Sequence, residues 1–109
     1  MYVRNNKLHN PGFGVIRVES KLSKKLNPYA VARELGAEGN FISYGVSRKY
    51  NRLLDVFEVL PREKEAEVVA KLKSDRHDVV HIPTKTEEEA TIEGFLLASE
   101  ARKRLNITF

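Results

Sequence analysis

The stretch Phe41-Ile-Ser-Tyr-Gly-Val-Ser47, Arg48-Lys-Tyr-Asn-Arg52, Leu53-Leu-Asp-Val-Phe-Glu-Val-Leu60 decides the architecture. Two runs rich in β-branched and aromatic residues flank a polar pentapeptide, the pattern of a β-hairpin. Upstream, Phe13 to Glu19 alternates, with Gly14, Ile16 and Val18 on one face and Phe13, Val15 and Arg17 on the other. That spacing predicts a half-buried strand. Between these strands, Asn27 supplies an N-cap, Pro28 a first helical residue and Gly36 a stop, so a short helix is expected over Pro28 to Leu35. Lys21 to Leu26 is the basic connector leading into it.

Downstream of the hairpin, Ala66, Val69 and Leu72 recur at helical spacing after Pro61, and Asp75-Arg76-His77-Asp78 breaks the run. A short strand, Val79 to Ile82, ends at Pro83. The last element is the best marked. Thr86 followed three residues later by Glu89 is a capping box, with Glu87 and Glu88 at the positive end of the helix dipole and Arg102, Lys103 and Arg104 at the negative end. This helix is expected to run to about Leu105. Met1 to Gly12 is polar, contains the turn signal Asn10-Pro11-Gly12, and is expected to be a flexible N-terminal arm before one α+β domain over residues 13–109.

The order strand, helix, strand, strand, helix, strand, followed by one more helix, predicts a ferredoxin-like βαββαβ sandwich with an additional C-terminal helix. Two helices would cover one sheet face, leaving the final helix to cover the other or to extend an oligomer. An alternative lies in residues 27–52. There Val31-Ala32-Arg33-Glu34-Leu35-Gly36, followed by Ile42, resembles the spacing of a helix-turn-helix, which implies a recognition helix over Asn40 to Arg52 offering Ser43, Tyr44 and Ser47 to a major groove. Gly45 inside that helix would cost about 1 kcal/mol relative to alanine, and the local density of Phe, Ile, Tyr and Val favours the strand.

Charge is laid down unevenly. Residues 1–54 hold ten Lys or Arg against three acids, and residues 55–109 hold nine against twelve, so a net charge of +4 conceals a dipolar chain. Such a field steers association with polyanions and says little about fold. Much of the acidic excess is explained without a partner, because Glu63, Glu65, Glu67 and Glu87 to Glu89 fall in first helical turns. No run approaches the ~20 apolar residues of a membrane span. The chain contains no cysteine and its first ten residues lack the apolar core of a signal peptide, so a cytoplasmic protein without a membrane partner is expected.

The strongest functional constellation is Tyr44, Arg48, Lys49, Tyr50 and Arg52, with Lys21, Lys24, Lys25 and Arg33 as its extension. Cationic side chains neutralise phosphates and tyrosines stack on bases or sugars, so the expected function is non-catalytic binding of DNA or RNA through the basic connector and hairpin. The same hairpin also reads as a solvated turn, with cations placed to prevent edge pairing. Gly12-Phe-Gly-Val-Ile-Arg-Val18 is similar to the aromatic strand signature of RNA-recognition motifs, whose exposed rings stack bases on a four-stranded sheet. Here it falls in the first strand rather than the third, and valines or nothing stand where further aromatics belong. Phe13 is therefore read as packing.

Catalytic signals are thin. His9, His77 and His81 are scattered, the serines lack a nucleophile elbow, and Gly36, Gly39 and Gly45 form no phosphate cradle. No catalytic residue, metal site or cofactor is expected. The competing function is a protein-interaction or regulatory module. Ile92, Phe95, Leu96 and Ser99 form one stripe on the last helix and Gly94, Leu97, Ala101 and Leu105 another, so that helix is expected either to pack wholly in its own domain or to offer Ile92, Phe95 and Leu96 to a homodimer or partner protein.

Overall fold

In a computed structural model that describes residues 13–22, 27–37, 40–59 and 64–107, the hairpin strands are β2 (Phe41–Ser47) and β3 (Arg52–Val59), joined by a turn at residues 48–51. Asn51 closes the turn with φ 58°, a left-handed conformation that asparagine enters more readily than most residues. Ser47 anchors it, donating its hydroxyl to the Leu105 carbonyl at 2.6 Å and accepting from the Tyr50 N–H at 3.3 Å. The helix-turn-helix alternative is thereby overturned. Residues 41–47 are a strand, because their backbone is satisfied by the ladder with β3 and their apolar side chains fit the pleat. The expected N-terminal arm lies outside the described residues.

The remaining elements are β1 (Phe13–Lys21), α1 (Pro28–Glu34), α2 (Glu65–Ser74), β4 (Asp78–Thr84) and α3 (Glu87–Arg104). The protein is α+β, a four-stranded antiparallel sheet in the order β2-β3-β1-β4 with three helices. β1 and β3 are central. Ile16, Val18, Phe57 and Val59 pack on one face with Ala32, Val68 and Leu72 from the side of α1 and α2. Val15, Leu54 and Val56 pack on the other with Ala98, Ala101 and Leu105 from the side of α3. β1 is consequently buried on both faces rather than half-buried as its alternation suggested. Burying each large apolar side chain in these two layers contributes about 1.5–3 kcal/mol before entropy is charged against it.

Close approach of α3 depends on a stripe of small residues, Ala90, Gly94, Ala98 and Ala101. At Gly94 a Cβ would overlap the Ile42 Cδ1 and stand 3.2 Å from a Val15 methyl. The N-cap half of the capping box forms as expected, the Thr86 hydroxyl accepting from the Glu89 N–H at 3.1 Å, while the Glu89 carboxylate reaches one residue further back and accepts from the Lys85 N–H at 2.9 Å. The reading of α3 as wholly packed in its own domain is overturned, because Ile92, Phe95 and Leu96 remain 58%, 60% and 59% exposed.

The buried stripe of α2 is turned from the expected one. Val68 and Leu72 are buried with Glu65, Val69 is half-buried and Ala66 is exposed. The cause is Glu65, whose carboxylate fills the space that a Cβ on Gly14 would need and stands 3.0 Å from His81 Nε2. β4 continues through Pro83, which an edge strand tolerates because one row of its backbone groups needs no ladder partner. Among the described residues no helix is long and apolar enough to cross a membrane.

Candidate nucleic-acid interface

β1 ends where the hairpin turns. Lys21 stands opposite Arg52 in the β1–β3 register, and the Leu22 N–H donates to the Asn51 carbonyl at 3.1 Å. The start of the basic connector thus lies against a turn about thirty residues later in the chain. Arg48, Lys49 and Tyr50 are exposed on that turn, and the Lys49 ammonium lies 5.4 Å from the centre of the Tyr50 ring. Lys21, Arg48 and Arg52 make no ion pair among the described residues. The charges of Lys21 and Arg48 are available to an anion, while that of Arg52 also acts on the nearby Glu19 carboxylate.

Beside this end lies a second set of charges that the sequence did not associate with it. The buried Glu19 carboxylate takes an ion pair from Arg17 at 2.6 Å and a bidentate pair from Arg104, one arm of which measures 3.1 Å. Arg17 also reaches Asp78 at 3.2 Å. Burial pushes the Glu19 carboxyl up, but the Arg104 hydrogen bonds and the charges of Arg17, Arg104 and Arg52 outweigh it and hold the group below its ordinary value. Arg104 is held above its own ordinary value by the same hydrogen bonds. Glu19, Tyr50, Arg52, Asp78, Arg104 and Leu105 line an open hollow of about 470 Å³. Arg17 and Arg104 are 87 residues apart in sequence and share no local motif. Only the fold could join them.

Other expected site residues lie elsewhere. Tyr44 stands opposite Asp55 and faces the α1 side of the sheet, whereas strand alternation turns Arg52 to the α3 side. Arg33 is in the last turn of α1, and Gly36, just past its end, lies beside Lys64 at the end of the sheet remote from the hairpin turn. Lys24 and Lys25 lie outside the described residues. The face bearing Val15 and Arg17, which an RNA-recognition motif would present for stacking, is covered by α3. Among the described residues, no group of three or more His, Cys, Asp and Glu is placed to hold a metal ion.

Compared with protein-family models, curated proteins and solved structures, the chain matches none.

Proposed function

We propose that the protein binds nucleic-acid phosphates, without chemistry on them, at the sheet end formed by Lys21, Arg48, Lys49 and Arg52. The observation that carries this reading is the contact of connector and turn, which gathers cations from two distant segments into one cluster without an ion pair among the described residues. Lys24 and Lys25 follow Lys21 within four residues and belong to the same proposal by position. Tyr50 adds a ring at the rim. Arg33 has no part in it, and Tyr44 faces away.

The ferredoxin-like reading of the fold belongs with this proposal. It is supported by central first and third strands with the second and fourth at the edges. Because α3 occupies the second face of that sheet, binding is assigned to the end of the sheet and not to a stacking platform. Affinity for fluorescent single- and double-stranded oligonucleotides should fall steeply with salt, and removing two phosphate contacts in Arg48→Ala with Lys49→Ala should flatten the log–log slope by roughly 1.5. Absence of binding at low salt, or an unchanged slope in the double variant, would overturn the reading.

A second reading rests on Ile92, Phe95 and Leu96, three neighbouring apolar side chains more than half exposed on α3. Adjacent residues of this kind on a helix surface mark a contact with a second chain more often than scattered ones do. We assign that contact to a homodimer.

A further inference from the structure

The geometry points to a binding site for a primary alkylammonium ion in the cleft between α1 and the β2–β3 hairpin, with its N–H groups on the Asp55 carboxylate and its methylenes against Tyr44 and Phe41. This site is independent of the phosphate-binding proposal. It lies on the α1 side of the sheet and is anionic.

The cleft measures about 440 Å³ and is lined by Asn27, Tyr29, Phe41, Tyr44, Leu53 and Asp55, a size within the ~300–1,000 Å³ of small-molecule sites. Asp55 forms its polar floor. The residue is only 3% exposed, and its Oδ2 has no hydrogen-bond partner among the described residues. No Lys or Arg among the described residues pairs with it either. Burial pushes its carboxyl up to about 6, so near neutral pH the fold holds a desolvated negative charge that no described residue answers. Such groups are expensive, and strongly shifted ones cluster at functional sites.

The walls say which partner fits. Tyr29 meets Phe41 edge-on at 5.5 Å and Phe57 at 5.4 Å, which fixes the Phe41 ring from behind. Phe41 and Tyr44 then stand 6.5 Å apart at 44°, a splayed pair left 44% and 55% exposed. Aromatic faces attract a cation through their quadrupole, and a carboxylate short of donors requires N–H groups. An alkylammonium meets both demands. A quaternary ammonium would leave the carboxylate without a donor, and a neutral base would leave its charge uncompensated. A divalent ion would need several more oxygens, while the Asn27 side-chain oxygen is already taken by the Tyr29 and Ala30 N–H groups at the start of α1.

Nuclear magnetic resonance titration of the full chain tests the site, with butylammonium as the probe and butanol, tetramethylammonium and guanosine as comparisons. Saturable shifts at the Tyr29, Tyr44 and Asp55 amides are expected with butylammonium. Its affinity should fall about tenfold or more in Asp55→Asn, where a charge-assisted hydrogen bond is lost, and about two- to fivefold in Tyr44→Ala. Both variants leave the main core intact, and retention of the dispersed spectrum checks it. Once butylammonium saturates, the tighter binder of spermidine and an N-terminally acetylated peptide with a free lysine side chain identifies whether the amine is free or part of a protein. No saturable shift with butylammonium, equal affinity in Asp55→Asn, or tighter binding of guanosine than of butylammonium would overturn the proposal.

Discussion

Asp55 is buried with one carboxylate oxygen unpartnered among the described residues. It interrupts an apolar strand, Leu53-Leu54-Asp55-Val56-Phe57, and faces the same side as Phe57. Its carboxyl titrates near 6 instead of 3.8, so the folded state takes up the proton more readily than the unfolded state. Stability should therefore be greatest below pH ~4 on this account and decline as pH rises through 6, by roughly 3 kcal/mol at most. Asp55→Asn should remove that decline. Thermal melts at pH 5 and pH 7.5 should show the variant several degrees above the wild type at pH 7.5 and with a smaller advantage at pH 5. A variant no more stable than the wild type at pH 7.5 would mean that the charge is compensated in the folded protein.

Glu19 presents the opposite case at the same scale. It is equally buried, yet Arg17 and Arg104 surround it and its carboxyl titrates low. Sequence offered no means of separating the two acids, since both stand within strands among valines and leucines. The distinction was made by which side chains the fold brought alongside.

Among the elements, α3 combines what was legible with what was not. Its start and length followed from Thr86, Glu89 and the terminal cations, because capping is a contact between residues three apart. Its packing face was left open between two apolar stripes; the structure buries the one holding Gly94, Ala101 and Leu105, and the tightness at Gly94 required knowing that Ile42 lies beneath it. Gly94→Ala improves helix propensity by about 1 kcal/mol. Overlap with Ile42 should more than cancel this gain, leaving the variant destabilised by roughly 1–2 kcal/mol in chemical denaturation. Ile42→Val removes the colliding atom, so the double variant should be more stable than Gly94→Ala alone. If the second substitution worsens it, the close approach at Gly94 is not what limits the site. In α2 the stripe Ala66, Val69, Leu72 misled for a related reason. A charged residue, Glu65, took an inward position beneath Gly14, and hydropathy alone cannot assign a carboxylate to the core.

Across the whole molecule, function separates into regions that the linear charge pattern blurred. The basic cluster is at the hairpin end, the apolar trio is on the outer side of α3, and the anionic aromatic cleft lies under α1. If Ile92, Phe95 and Leu96 join two copies, sedimentation should report a dimer at micromolar concentration, and Phe95→Asp should convert it to a monomer without lowering the melting temperature of the folded chain by more than a few degrees. A wild-type monomer at high concentration would remove the homodimer reading. Persistence of a dimer in Phe95→Asp would place the contact elsewhere.

The sequence by itself determined the hairpin, the two well-capped helices, the α+β class and the uneven charge, because each depends on neighbours within a few residues: period-two alternation, an N-cap oxygen reaching a nearby N–H, a proline at a first turn. The tertiary structure decided which buried charges are answered, how α2 is phased, that α3 closes the second face of the sheet, and that Lys21 meets Arg52 while Arg33 does not. These outcomes depend on strand order and on side chains brought together from dozens of residues apart. Local periodicity carries no information about such encounters until the sheet has been assembled.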